Sequence, residues 1–338
     1  MCVRGPFVWQ CPQRMGIGCD IIPPPAHVRP VSSERIRMRT SQPDILKPSP
    51  APSPETTRPD KPALLTRLLD PANRLTWIAT VAMVVVLAFW FAFTPAGLLG
   101  KADAVGYAVC HRITVRSFAF PNGRQLPMCA RCSGTFLGVL VGLLGPGLLF
   151  KRRRSGMFPP AWIMAIMLTL SAWWAVDGTN SFLRLLPYDL PQLYPPSNPL
   201  RLITGMMHGI TMGSLLLPVA NATLWADVRA ERTIENFWQL LALLGIGGAL
   251  ILMVLSGWAI FLYPLALLSS LGAIAVLAVV NMVMITSLIG RENRARTLGD
   301  AVPLLFLGVA MTIAMISLID ALRFAVFGTW DGFVFPGA

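Results

Sequence analysis

Seven runs of about 20 apolar residues constrain the fold of this 338-residue chain more than any other feature. A helix of about 20 residues crosses the roughly 30 Å of hydrocarbon in a bilayer. The chain is 54% hydrophobic and 13% charged, whereas a soluble domain usually carries about a quarter charged residues. We therefore predict an all-α, multi-pass integral membrane protein. The predicted spans lie near residues 76–98, 133–150, 158–176, 201–224, 238–258, 261–289 and 301–324.

The residues before the first span form a separate zone of composition, with proline-rich runs at 23–25 and 48–54. Proline removes backbone donors and favours extended, solvated chain, so we predict a disordered tail over residues 1–62. The same composition fits a start at Met38. A juxtamembrane segment, 63–75, follows the tail. We divide the remainder into a four-helix membrane unit, 76–225, with a cysteine-rich outer loop at 100–132, and a three-helix unit, 226–338.

The basic residues between the spans predict the orientation, because short cytoplasmic loops are rich in lysine and arginine. Basic runs at 151–154, 229–232 and 291–296 fall on one side of the seven spans. This predicts N-in/C-out insertion in the cytoplasmic membrane. The net charge of +12 lies in the tail and these loops, so we expect contacts with membrane lipids and no nucleic-acid partner. Five further cations lie on the opposite side: Lys101, Arg112, Arg116, Arg124 and Arg131.

Two spans carry glycine at four-residue spacing, which lets helix backbones approach closely in lipid. Both of these spans run in the same direction, so we expect them to pack in parallel. The two triplets are Gly134, Gly138 and Gly142, and Gly205, Gly209 and Gly213.

Three cysteines in the membrane region form the most specific chemical signal. Cys110 is followed by His111, while Cys129 and Cys132 have C-x2-C spacing at the start of the second span. The turn sequence at 121–123 predicts a hairpin that returns the chain from Cys110 to the other two cysteines. A helix start also stabilises a thiolate, which is the form that binds metals.

Three interpretations of these cysteines remain open. The first is a zinc-like site with three thiolate ligands and His111 as the nearest fourth ligand; Asp177 and His208 are alternatives. The second is a redox pair, Cys129 and Cys132, with Cys110 as the resolving thiol. The third is a disulfide that staples the loop. Metal binding leads, because a single staple leaves one of three thiols unused.

Polar residues near the same side of the membrane predict an anion-binding pocket, since arginine recognises phosphate and carboxylate groups. The alternative is that these arginines extend to lipid headgroups. Asn180 and His208 are weaker candidates, and Asp320 and Arg323 most simply form a local ion pair at i, i+3. The predicted pocket residues are Arg112, Arg116, Arg131, Asp177, Asn198 and Arg201.

Four motifs in order resemble the domain-of-unknown-function 2085 family of prokaryotic membrane proteins over roughly residues 100–215. They are C-H-R-x3-R-S-F, P-M-C-A-R-C-S-G-T-F-L-G, D-G-T-N and N-x2-R-L-I-T-G. The resemblance implies a membrane protein and names no reaction. Asn180 and His208 depart from the family's pattern. The resemblance nominates Cys110, His111, Arg116, Ser117, Cys129, Arg131, Cys132, Gly134, Asp177, Gly178, Asn198, Arg201 and Gly205.

The sequence has no phosphate-binding loop, HExxH helix or G-x-S-x-G elbow, so whether the protein is an enzyme stays open. The leading hypothesis is a metal-binding membrane protein, with zinc as the expected ion. The alternatives are a membrane thiol–disulfide oxidoreductase and a transporter or lipid-handling protein.

Overall fold

The computed structural model describes residues 71–184 and 191–332 of the chain. The predicted tail, 1–62, lies outside these described residues, and the division of the membrane region into two units stays a prediction. The described part contains helices α1 (Pro71–Phe93), α2 (Leu98–Val109), α3 (Ala130–Leu149), α4 (Ala161–Leu183), α5 (Asn198–Leu224), α6 (Phe237–Leu255), α7 (Ala259–Leu288) and α8 (Leu298–Phe327), and strands β1 (Ser155–Met157) and β2 (Arg229–Arg232). Seven of these helices, all but the 12-residue α2, are long and apolar enough to cross a membrane, which confirms the seven-span prediction.

Helices α3 and α5 make the most extensive contact in the described structure. They lie side by side in parallel, and each glycine of the two predicted triplets lies against the backbone of the other helix. A Cβ atom on Gly138 would overlap the carbonyl oxygen of Met206, and one on Gly209 would overlap that of Thr135. Only glycine permits this separation, so the predicted glycine-mediated packing is confirmed.

The last two spans extend this core. Gly272 of α7 lies against the Phe136 carbonyl of α3, and Gly308 of α8 lies against the Ala278 carbonyl of α7. Asn281 donates a hydrogen bond across the helices to the Thr312 hydroxyl, at 2.9 Å, as expected for a polar side chain in a span. Helix α8 also packs along α1.

The three basic loops meet at one end of the bundle. Strand β1 pairs in parallel with β2, and the Arg154 guanidinium donates to the Arg296 carbonyl at 3.1 Å and lies 4.3 Å from the centre of the Trp225 ring. The predicted side-by-side placement of these loops is therefore correct. Their cytoplasmic location stays a prediction.

Several boundaries differ from the sequence expectation. The first span ends at Phe93 instead of near residue 98. The predicted outer loop begins with helix α2, and the third span continues to Leu183 instead of ending near residue 176. Asp177 and Asn180 therefore lie inside α4, where both side chains are buried. Polar side chains can remain within a span when they face other protein groups instead of lipid.

Candidate functional site

The loop between α2 and α3 folds back as the turn sequence predicts. The Phe120 N–H donates to the Arg124 carbonyl at 2.8 Å, and the Leu126 N–H donates to the Phe118 carbonyl at 2.9 Å. Gly123 occupies the turn with φ of 81°, a conformation that glycine adopts without strain. The hairpin brings Cys129 next to Cys110, and the Cys129 N–H donates a hydrogen bond to the Cys110 sulfur.

The structure brings the predicted thiols and imidazole together; we call Cys110, His111, Cys129 and Cys132 the thiol cluster. The ligand atoms of Cys110, His111 and Cys129 lie within 4.8 Å of one another. The Cys132 sulfur does not belong to this group of three, but it lies close enough to Cys110 and Cys129 to interact with both electrostatically. All three cysteines are free thiols. Neighbouring residues usually point apart, but the chain turns sharply after His111, because Arg112 has a left-handed φ of 52°.

The Cys110 sulfur is surrounded by hydrogen-bond donors. The Cys129 and Cys132 thiols, together with His111, hold the pKa of Cys110 well below its usual range despite burial. The backbone N–H groups of Arg112 and Cys129 also donate to this sulfur, at 3.4 and 3.3 Å. Because the Cys129 thiol donates to Cys110, its own pKa is raised to about 12. These donors favour Cys110 as the thiolate of the cluster.

A residue of the last span holds the backbone at Cys110, the first residue of the thiol cluster. The sequence did not indicate this contact. Arg323 of α8 donates to the carbonyls of Tyr107 and Cys110, the latter at 2.9 Å. Its guanidinium also lies 4.0 Å from the centre of the Tyr107 ring. Asp320, the predicted ion-pair partner of Arg323, interacts with its charge but makes no hydrogen bond to it within the described residues. The unpaired carbonyls at the end of α2 attract the guanidinium instead.

A second group of buried charges adjoins the thiol cluster; we call Arg116, Arg131, Arg201 and Asp177 the arginine cluster. Asp177 is fully buried and pairs with Arg131 at 2.5 Å. The Tyr194 and Thr204 hydroxyls donate to the same carboxylate at 3.2 and 3.4 Å. Burial and the Asp177 charge raise the pKa of Tyr194, which keeps its hydroxyl a donor.

The other two arginines are held by neutral oxygens. Arg116 donates to the Ser181 carbonyl and Arg201 to the Asn198 side chain, each at 2.7 Å. Burial lowers the pKa of Arg116, and the nearby Arg131 lowers it further. Three guanidinium groups thus face one carboxylate. Within the described residues, the buried Nε atoms of Arg131 and Arg201 have no hydrogen-bond partner.

The remaining predicted candidates lie apart from these two clusters. Arg112 pairs with Asp103 at 2.9 Å, and Asp103 also pairs with Arg124, so the predicted arginine pocket divides into two groups. His208 bonds to Ser171 at 2.6 Å and stacks on Trp174.

Asn180 has a positioning role instead of a place in either cluster. Its side chain bonds to the backbone of Leu193 and Tyr194, each at 2.9 Å. These bonds place Tyr194 over Asp177. Sequence reasoning missed Tyr194 and Ser181, because nothing local indicates that these two residues reach the arginine cluster.

The fold and the two clusters together define a seven-span helical membrane protein with thiols and buried arginines at one end of its bundle. Residues 110–215 match the family model described as "Predicted membrane protein (DUF2085)", which confirms the resemblance carried by the four motifs. Both clusters lie within the matched segment.

Two archaeal proteins share this segment, and both are described only as uncharacterized. The protein from Methanocaldococcus jannaschii is 35% identical over 116 residues, which are 34% of this chain and 66% of that protein. The chain thus spans just under two thirds of that relative. The protein from Methanothermobacter thermautotrophicus is 29% identical over 107 residues, 32% of this chain and 83% of its own length. No solved structure matches the chain significantly.

Proposed function

We propose that this protein binds a zinc-like metal ion at the membrane surface through Cys110, Cys129, Cys132 and His111. The supporting observation is the convergence of three ligand atoms within 4.8 Å. Tetrahedral zinc, with Zn–S near 2.3 Å and Zn–N near 2.0 Å, places its ligand atoms roughly 3.5–4 Å apart. The Cys110 sulfur and His111 Nδ1 are 3.9 Å apart. Cys132 lies outside this group of three but next to both other sulfurs, and we propose that its thiolate completes the coordination when the ion binds.

The charges around the cluster favour this assignment. Three thiolates and a neutral imidazole around a divalent ion leave one net negative charge. Arg116 and Arg201 lie close enough to Cys129 to interact with its charge. The arginine cluster carries two more positive charges than negative ones, so it more than offsets the single negative charge of a metal–thiolate centre. Four protein ligands close the coordination shell, which suits a structural, storage or sensing role better than hydrolysis.

The test is metal content per chain of the full-length protein purified in detergent or lipid nanodiscs. We expect close to one zinc-like ion per chain, and loss of that ion in a Cys129→Ser, Cys132→Ser variant. A matched control replaces Cys2, Cys11 and Cys19 by serine, which should leave the metal content unchanged. The three cluster thiols should resist alkylation until a chelator removes the ion.

A metal-free protein with a reversible disulfide would contradict the proposal and support the thiol–disulfide oxidoreductase instead. In that case we expect Cys110 to be the attacking thiolate, because donors surround its sulfur and lower its pKa. The C-x2-C pair at 129 and 132 would then not contain the nucleophile.

Anion binding is a second candidate function, favoured by the unpartnered guanidinium nitrogens of Arg131 and Arg201. A phosphate or carboxylate oxygen would supply the missing acceptors. Binding of a lipid headgroup would support the lipid-handling function. Binding of a free anion would support the transporter function. We expect inorganic phosphate, or vesicles containing phosphatidic acid, to raise the Tm of the protein. The effect should vanish in Arg201→Gln and persist in Arg124→Gln, whose side chain is exposed and pairs with Asp103.

A further inference from the structure

A cavity of about 330 Å³ lies between α1 and α8, separate from both clusters. Aromatic side chains dominate its wall: Phe89, Trp90, Phe93, Phe324 and Trp330. Phe89 and Phe93 are exposed on the outer face of α1, where a span meets lipid. The cavity is therefore accessible from the bilayer side of the bundle.

One acidic group lines this aromatic cavity. Asp320 of α8 is 97% buried, with 3% of its surface exposed. Neither of its carboxylate oxygens has a hydrogen-bond partner among the described residues. A buried, unpaired charge is destabilising by several kcal/mol, so such carboxylates normally pair with a cation or a set of donors. An ionisable group of this kind inside a span is a candidate functional site.

The nearest cations of the protein are engaged elsewhere. The Arg323 guanidinium turns to the carbonyls of Tyr107 and Cys110. The Lys101 ammonium donates to the carbonyls of Phe91 and Thr94 and to the Thr94 hydroxyl. Asp320 makes no hydrogen bond to either cation, although it interacts with the charge of Arg323. Its carboxyl group can therefore receive a partner from outside the described residues.

The residues that line the cavity indicate which class of cation could be this partner. Hard cations such as Mg²⁺ and Ca²⁺ need several oxygen ligands, and the aromatic wall offers one carboxylate. Aromatic faces attract organic cations, most strongly when these are removed from water. A carboxylate combined with several aromatic rings is the arrangement that binds substituted ammonium groups.

We propose that the cavity between α1 and α8 binds a lipophilic ammonium cation, with Asp320 as its counter-ion and the aromatic wall around its substituents. The apolar part of such a ligand remains in the bilayer beside Phe89 and Phe93. This site is independent of the thiol cluster, because neither the cavity lining nor Asp320 belongs to it.

The test compares a cation with its neutral isostere on the full-length protein in nanodiscs of zwitterionic lipid. Benzyltrimethylammonium and neopentylbenzene have the same shape and differ in charge. Equilibrium binding should favour the cation in the wild-type protein. Asp320→Asn should weaken cation binding by at least about tenfold, and Phe324→Leu by about threefold. Asp331→Asn, which changes an exposed carboxylate at the same end of the bundle, is the matched control and should bind as the wild type does.

A second variant keeps the proposal testable if Asp320→Asn does not fold. Ala321→Leu leaves the carboxylate in place but fills the cavity that Ala321 lines, and it should abolish cation binding. Equal binding of the cation and the neutral isostere, or undiminished cation binding in Asp320→Asn or Ala321→Leu, would overturn the proposal. Absence of cation binding to the wild-type protein would do the same.

Discussion

At the scale of single residues, buried charge organises the site end of the bundle. Asp177 is the one carboxylate of the arginine cluster, and it accepts hydrogen bonds from Arg131, Tyr194 and Thr204. Removal of one partner from a buried charge network is costly, because the remaining charges lose compensation. Asp177 therefore maintains the geometry of the cluster besides any role in ligand binding.

Asp177→Asn should destabilise the protein by about 3–5 kcal/mol, because it leaves three buried guanidinium groups without a carboxylate. The measurement is the free energy of unfolding by denaturant in detergent. Glu292→Gln, which changes an exposed acidic residue at the other end of the bundle, should alter stability by less than about 0.5 kcal/mol. A loss below about 1 kcal/mol for Asp177→Asn would show that water or neutral groups already compensate the arginines.

At the scale of helices, the backbone contact between α3 and α5 holds the site together. Cys129 caps the start of α3, and Arg201 lies in the first turn of α5. The glycine faces let these two helix starts lie next to each other. Any widening of the α3–α5 contact would therefore separate the thiol cluster from Arg201.

Gly138→Val should destabilise the protein by about 3 kcal/mol. The valine side chain would overlap the Met206 carbonyl, and this backbone group cannot rotate away as a flexible side chain could. The same variant should lose metal, since the two helix starts move apart. Gly248→Val is the matched control: no atom lies within 4 Å of a Cβ built on Gly248 of α6. Thermal unfolding and metal content measured on both variants provide the check. Similar behaviour of the two variants would argue against glycine-mediated packing.

At the scale of the whole molecule, charge separates the two ends of the bundle. One end carries the basic loops, joined by the β1–β2 pairing. The other end carries the thiol cluster and the exposed hairpin turn at Asn122. The positive-inside rule assigns the first end to the cytoplasm. The arginines at the opposite end are mostly buried against protein groups, so they contribute little to the loop charge that this rule counts.

Cysteine labelling with a membrane-impermeant maleimide tests this orientation in intact cells. Asn122→Cys should be labelled directly, whereas Arg153→Cys should require permeabilisation; both positions are exposed in the structure. The wild-type protein, labelled in parallel, gives the background from the native cysteines. Of these, Cys110 and Cys129 are buried and Cys132 is half-buried, and three more lie in the tail. Labelling of Arg153→Cys from outside would reverse the orientation and place the thiol cluster in the cytoplasm.

The number of spans, the glycine contact and the hairpin followed from the sequence, because each depends on residues close together in the chain. Apolar runs of span length must become helices in lipid, since no water satisfies their backbone groups. Glycines at four-residue spacing lie on one helix face. The end of α4 was missed because its D-G-T-N sequence resembles a loop unless its buried partners are known.

The tertiary structure alone decided which side chains meet. The contact of Arg323 with the Cys110 carbonyl joins residues more than 200 positions apart. The division of the predicted arginine pocket depends on Asp103 and Asp177, each of which attracts different arginines. The burial of Asp320 likewise depends on how α1 and α8 pack against each other. Local sequence determines which helices form in a membrane, whereas the pairing of buried charges depends on distances that exist only after those helices pack.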